Sequence, residues 1–362
     1  RISLFSSSHR PPKLVFYLVL WMLFRVMFGA GLIKIRGDAS WLDLTALYYH
    51  FETQPIPHFL SRFFHFLPQF ILKFFVVFNH FVELVVPFFY FSPRYFRLYA
   101  GGFTILFQVT LILSGNLSWL NWLTIVLCIP CFDDAFLLRF SSQRLKSKLA
   151  SCLAFSPENL GFSIRNIILT LLGVLIGILS VNPVLNLFRS QQLMNASFDR
   201  FHIVNTYGAF GHVGKVRKEV VILGTSDSVI TPETEWLEYE FKAKPGSINR
   251  VPWFFSPYHY RLDWQIWFVS LSDYRYHPWF IYMIYKLLKQ DETLLSALSN
   301  TPFKESPPTF IKVDLYRYSF SNRGFFSSPF WERSYVRSYL PALSLTTPQL
   351  KAFIKDYEKF TH

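Results

Sequence analysis

From Leu14 to Ile33 the chain is apolar for about one bilayer thickness, broken only by Arg25. A run of that length satisfies every backbone N–H and C=O in hydrocarbon only as a spanning helix. Phe63–Phe91, Tyr99–Ser114, Ser118–Phe132 and Gly161–Phe188 repeat the signal, so the sequence predicts five spans. Gly115-Asn116 turns the third span into the fourth, and Gly173 and Gly177, four apart, would let another helix approach the fifth closely. Composition agrees: 51% of the 362 residues are hydrophobic and 20% aromatic, which is too apolar for an ordinary soluble enzyme.

Charge fixes a direction. Counting by alternate loops, Arg1, Arg10, Lys13, Arg94, Arg97, Arg139, Arg144, Lys146 and Lys148 fall on one side, against Lys34, Arg36 and Arg62 on the other. The positive-inside bias then puts the N-terminus on the cytosolic or matrix side and everything after the fifth span opposite. The net charge of +13 sits largely beside apolar runs, which favours anionic headgroups over nucleic acid. Arg94, Arg97, Arg139, Arg144, Lys146 and Lys148 are therefore candidate lipid contacts. The expected division is a basic segment 1–13, a transmembrane helical domain 14–194 and an extramembrane α+β domain 195–362. The first ten residues contain Ser and Arg and no acid appears before Asp38, the composition of an organellar transit peptide or its remnant.

Beyond Met194, charge, Pro and Tyr replace the long apolar runs. Phe201–Phe210, Lys218–Gly224, Leu237–Lys244 and Phe310–Phe320 are rich in Val, Ile, Tyr and Phe and read as strands. Leu262–Leu271 and Trp279–Leu298 carry helix-spaced apolar residues. All three cysteines, Cys128, Cys131 and Cys152, precede this part, so it folds without an internal disulfide.

No known catalytic motif occurs: there is no G-x-S-x-G, P-loop, G-x-G-x-x-G or H-E-x-x-H. Cys128-Ile129-Pro130-Cys131 closes an apolar span instead of opening a helix after a strand, so it reads as small packing residues, not a redox pair. His50, Glu52 and His58 are separated by Pro55 and Pro57 and lack the spacing of a metal site; no metal or cofactor is expected. His80 and Glu83 share a helix face inside a span, where ionisable groups are costly. A polar tie to Arg25 or Lys73 is preferred over a proton relay. The densest aromatic and charged run is Trp253 to Trp264, which suits core packing, a protein interface or headgroup contact.

The same residues carry a resemblance. Phe24-Arg25-Val26-Met27-Phe28-Gly29-Ala30-Gly31-Leu32-Ile33-Lys34-Ile35-Arg36-Gly37-Asp38, Leu47-Tyr48-Tyr49-His50-Phe51-Glu52-Thr53-Gln54-Pro55-Ile56-Pro57, Asn79-His80-Phe81-Val82-Glu83-Leu84-Val85-Val86-Pro87, Ser114-Gly115-Asn116-Leu117-Ser118, Asn205-Thr206-Tyr207-Gly208-Ala209-Phe210 and Ser256-Pro257-Tyr258-His259-Tyr260-Arg261-Leu262-Asp263-Trp264-Gln265 resemble the lipase maturation factor family of endoplasmic-reticulum membrane proteins. The resemblance implies a polytopic, non-catalytic protein with a lumenal C-terminal domain that helps secreted lipases fold and assemble. It implies Tyr207, Phe210, Tyr258, Arg261 and Trp264 as candidate protein contacts, to which the aromatic run itself adds Trp253. Members usually have further membrane-spanning sequence before the point where this chain begins.

Two functions compete. The transit-like N-terminus tips the reading toward a structural accessory subunit of a mitochondrial inner-membrane complex, a respiratory complex or ATP synthase, with cardiolipin at its basic loops. The alternative is the chaperone-like factor of the endoplasmic reticulum, with lipases as clients. Asn195-Ala196-Ser197 separates them, because this sequon would be glycosylated in a secretory compartment and bare in a mitochondrion.

Overall fold

Among the described residues, four helices are long and apolar enough to cross a membrane: Lys13–Gly37 (α1), Gln69–Phe91, Arg94–Ser114 and Asn166–Phe188. Leu120–Cys131 is a shorter apolar helix. The computed structural model describes residues 12–143, 146, 164–303, 306–324 and 328–361. The expected architecture is present, an α-helical membrane bundle followed by a small domain of antiparallel sheets and helices. The chain divides into two compact units whose segments alternate in sequence. Arg1–Ala46, Gln69–Thr110 and Leu120–Val213 form the first; Leu47–Pro68, Leu111–Trp119 and Gly214–His362 form the second.

In the first unit α1 is central and buries Leu20, Leu23, Arg25, Met27, Gly29, Gly31, Ile33 and Lys34. It stops where Asp38 turns extended and its carboxylate accepts the Ser40 N–H, capping the short helix Ala39–Leu42 (α2). The second span begins only after Pro68 and changes character along its length. Gln69–His80 (α5) is α-helical, Phe81–Val85 is a π-turn, and Val86–Phe91 tightens to 3₁₀, where Pro87 has no N–H to extend the α ladder. The π-turn lies against α1, and a Cβ on Gly31 would come within 2.9 Å of the Glu83 side chain, so only glycine lets the turn in. Trp21, Phe24, Phe28, Phe88 and Phe91 pack ring to ring beside it.

Phe201–Phe210, expected as a strand, is irregular apart from one bridge between Ser197 and Asn205. Its carbonyls find donors on the α1–α2 segment instead of a neighbouring strand. Arg25 donates to Asn205 O at 2.6 Å, and Trp41 Nε1 to Phe210 O at 2.9 Å.

In the second unit a four-stranded antiparallel sheet runs in the order β2-β1-β5-β6, from Arg217–Thr225 (β1), Leu237–Glu238 (β2), Phe310–Phe320 (β5) and Trp331–Leu343 (β6). Glu240–Phe241 (β3) pairs separately with Leu298–Asn300 (β4). Alternation divides β1: Val220 and Ile222 join the larger core with Ile266, Val269, Phe280, Ile284, Ile311 and Val313, while Val221 faces Tyr318, Phe320, Phe330 and Trp331. Arg261–Leu271 (α10) packs on β1, and Pro278–Leu288 (α11) on β5 and on Pro348–Thr361 (α13). The predicted helix Trp279–Leu298 is interrupted after Leu288, where Gln290 takes a positive φ of 53°.

Two loops complete this unit. One carries the helices Leu47–Thr53 (α3) and Phe59–His65 (α4); the other is Gly115–Trp119, which follows the last turn of Arg94–Ser114 (α6). The Gln54 carboxamide fastens them together, donating to Ser114 O at 2.9 Å and to Ser61 Oγ at 3.1 Å. A methyl group on Gly115 would overlap that carboxamide. Gly115→Ala is therefore expected to cost about 1–3 kcal/mol through overpacking and to lower the thermal unfolding midpoint in nanodiscs. An unchanged midpoint would mean the contact is slack.

Candidate functional site

The second unit is organised around a buried cation. Arg217 sits at the start of β1 with its side chain fully covered, and its guanidinium donates to Glu52 O at 2.7 Å, Gln54 O at 2.5 Å and Pro55 O at 2.9 Å. These are orphan carbonyls at and just beyond the end of α3, where a cation also suits the helix dipole. Glu219 supplies the counter-charge through Arg217 Nε at 2.8 Å, and Lys244 Nζ lies 3.1 Å from its other oxygen. Glu52 turns its own carboxylate to the Phe320 N–H at 2.8 Å. Burial nevertheless raises the Glu52 pKa.

His58 is enclosed: Nδ1 accepts the Leu60 N–H at 3.1 Å as a helix cap, and Nε2 lies 3.3 Å from Ile112 O. Burial lowers its pKa to about 4, and does the same to His65. His65 is thus neutral at neutral pH, and its 3.8 Å approach to Glu52 is a polar contact, not an ion pair. His50, Glu52 and His58 do not converge on a point: His50 meets the Phe51 ring edge-on, and the other two are engaged as above.

The run from Pro252 to Ser256 is pinned by both loops. Phe59 N–H donates to Pro252 O at 3.0 Å, and Asn116 Nδ2 donates to Trp253 O at 2.9 Å. Asn116 Oδ1 accepts from Phe255 and Ser256 N–H, and Ser256 Oγ donates to Ser118 O at 2.9 Å. With the backbone so held, Trp253 and Tyr258 project outward, 78% and 62% exposed. Arg261 is also exposed, whereas Trp264 is half-buried against His259. In the first unit Tyr207 and Phe210 are half-buried, and Arg25 lies over the Tyr207 ring. Of the six expected contact residues, Trp253, Tyr258 and Arg261 are thus exposed, and Tyr207, Phe210 and Trp264 half-buried.

The first unit places the intramembrane candidates differently from the predicted tie. Glu83 is held by Lys34, whose Nζ is 2.6 and 2.7 Å from its two oxygens and 2.9 Å from Asn79 Oδ1. Asn79 Nδ2 donates back to Glu83 at 3.0 Å, so the pair is fully satisfied. His80 Nε2 lies 3.0 Å from Trp41 O, and Lys73 is exposed. Of the headgroup candidates, Arg94 is tied to Asp133, Arg97 and Lys146 are half-buried and Arg139 is exposed; Arg144 and Lys148 lie outside the described residues. Cys128 and Cys131 are buried free thiols, with Cys128 Sγ donating to Thr124 O; Cys152 is outside the described residues. The Asn195 amide is engaged, donating to Gly208 O at 3.0 Å and accepting its N–H.

Residues 1–139 match the model of the lipase maturation factor transmembrane domain, and residues 203–341 that of the lipase maturation factor C-terminal domain. The chain belongs to the lipase maturation factor family. Lipase maturation factor 1 of Mus musculus is 44% identical over 353 residues, 93% of this chain and 61% of that protein. The Homo sapiens protein of that name is 43% identical over 96% of this chain and 64% of its own length. Lipase maturation factor 2 of Xenopus laevis is 29% identical over 94% and 62%. The chain thus spans about three-fifths of the length of these relatives. No solved structure matches it.

Membership overturns the mitochondrial reading. Relatives that match over nearly the whole chain are named for lipase maturation, not as subunits of a respiratory complex or ATP synthase, and cardiolipin loses its basis with them. The physical reason is that Arg10 and Lys13, acid-free and next to a span, are what positive-inside topology asks of any membrane. A transit peptide is only one origin of that pattern. The family motifs flagged the right segments without disclosing roles. Lys34 read as a loop residue after the apolar run, Gln54 and Asn116 stood in family motifs without a role, and Arg217 carried no local signal. A hint existed in Asn116, whose amide can both donate and accept within a tight loop between apolar helices.

Two outcomes follow for this chain. Lys34→Met or Glu83→Leu alone should cost about 3–5 kcal/mol by leaving one buried charge unpaired, and the double variant should recover much of that in thermal unfolding. Additive losses would contradict a paired tie. For pH, the unfolded chain binds protons at His58 and His65 below 6.5, whereas the folded chain binds them only near 4. Their stabilisation is complete above pH 6.5 and is lost as pH falls toward 4, by about 3 kcal/mol for the fully covered His58. Unfolding midpoints measured between pH 7 and 4.5 should fall accordingly, less steeply in His58→Asn.

Proposed function

We propose that the protein is a non-catalytic factor of the endoplasmic-reticulum membrane that assists the folding and assembly of secreted lipases, with the domain beyond its last spanning helix in the lumen. The observation that carries this is the match of both family domains, with relatives named lipase maturation factor 1 aligned over more than nine-tenths of the chain. The Arg217–Glu219–Lys244 lock and the Gln54 and Asn116 amides suit such a role, because they give a rigid frame that needs no bound cofactor to hold its shape. Of the candidate client contacts, Arg261 is the exposed charged residue, and it sits at the start of α10. Transient client binding would draw on such rim charges for encounter and on apolar neighbours for affinity.

The test is complementation in cells that lack their own lipase maturation factor. Expression of this chain should restore the activity of a co-expressed secreted lipase several-fold, and Arg217→Met, which leaves Glu219 without its main partner, should abolish the rescue while the protein still inserts in the membrane. Unrescued lipase activity with normal levels of intact chain at the endoplasmic reticulum would refute the assignment.

A further inference from the structure

The exposed aromatic residues around Trp253 require an explanation, because six large rings lie uncovered in the second unit, which also contains the last turn of α6. Trp253 and Phe254 are exposed in the pinned run and Tyr258 just after it; Trp119 is 50% exposed in the Gly115–Trp119 loop; Phe63 is exposed on α4 and Phe66 at its C-terminal cap. Connectivity fixes their level. α6 has 21 residues, about 31 Å at a rise of about 1.5 Å per residue, which matches the roughly 30 Å hydrocarbon thickness. Its last residue, Ser114, therefore ends near the hydrocarbon boundary. Asn116 follows two residues later, within roughly 7 Å along the chain, and the headgroup layer on each side is about 5–8 Å deep.

Asn116 holds Trp253 O at 2.9 Å and the Phe255 and Ser256 N–H groups, so the Trp253 backbone is at headgroup level through direct hydrogen bonds. α4 is fixed to the same level from the other loop. It lies just before Pro68 and the start of the second span, and Phe59 N–H bonds to Pro252 O. The His58 ring meets Phe254 edge-on at 5.4 Å, which joins the two loops in one patch. Trp and Tyr, with an apolar body and a polar tip, are the residues that settle at this depth.

We infer that Trp253, Phe254 and Tyr258, with Trp119, Phe63 and Phe66, form an interfacial anchor that seats the C-terminal unit on the bilayer surface, the occupant being phospholipid headgroups and upper acyl chains. This assigns Trp253 and Tyr258 to lipid, not to a client protein, and it stands independently of the lipase-maturation role. Held this way, the unit cannot tumble on its tether, and its remaining exposed surface faces the aqueous compartment.

The experiment uses the full chain in phosphatidylcholine nanodiscs. In a Cys152→Ser background, nitroxide labels at Trp253→Cys and Tyr258→Cys, with Val229→Cys as an exposed control, are compared for collision with oxygen and with a water-soluble nickel chelate; Cys128 and Cys131 are buried, and the background protein is the labelling blank. Labels at 253 and 258 should show a several-fold higher oxygen-to-nickel ratio than the label at 229. Ratios equal to the control would overturn the proposal. If they then fall in nickel accessibility only when a lipase is added, the patch is a client surface instead. Should a Cys variant fail to fold, Trp253→Phe settles the same point. Bromolipid nanodiscs should quench less fluorescence in it than in the parent chain, and an unchanged quenched fraction would reject the anchor.

Discussion

Arg217 is the residue on which the second unit depends. A guanidinium with no exposed surface must have its donors met, and here three carbonyls of the α3 loop and one carboxylate meet them. Each group solves a problem of another: α3 ends with carbonyls that lack helical partners, β1 begins with a buried charge, and Glu219 needs two cations to be tolerated inside. Remove the arginine and the loop carbonyls, the carboxylate and Lys244 are left mismatched together. The loop thereby becomes part of the domain, and Gln54 and Asn116 extend the same network to Gly115–Trp119 and to Pro252–Ser256.

The helical unit uses the same economy. Lys34, Glu83 and Asn79 close a triangle in which every oxygen of the carboxylate is matched, and the π-turn at Phe81–Val85 together with Gly31 brings the groups within reach. An ion pair so completely satisfied orients helices, and it offers no free site for proton transfer. What is left unsatisfied by packing is aromatic surface, and its position at the ends of spanning helices gives it a physical purpose that neither catalysis nor a cofactor requires.

Much of the fold was legible because burial has a period. The apolar runs marked the spans, and β-branched alternation marked Lys218–Gly224 and Phe310–Phe320 inside β1 and β5. The failures are equally physical. β6 hid behind Pro341 and the charges of Glu332, Arg333 and Arg337, all of which an edge strand tolerates because one side pairs with nothing. Phe201–Phe210 has strand composition, yet it lies irregular because donors from α1 and α2 reached its carbonyls. Pro68 separates α4 from the second span, which the continuous Phe63–Phe91 run concealed.

By itself the sequence determined the class of molecule: a chain this apolar, with basic residues flanking runs of bilayer length, is a helical membrane protein with a polar domain after its spans, and its motifs placed it in a family. It could not choose partners. Lys34 finds Glu83 across 49 residues while the other candidate cations, Lys73 and Arg25, are passed over, and the Arg217 guanidinium reaches the backbone carbonyl of Glu52 across 165. Periodicity records which face of an element is buried, a one-dimensional property, whereas the pairing of buried charges depends on which faces meet in three dimensions. That choice, and with it the frame that leaves Trp253 and Tyr258 outside, was made only by the tertiary structure.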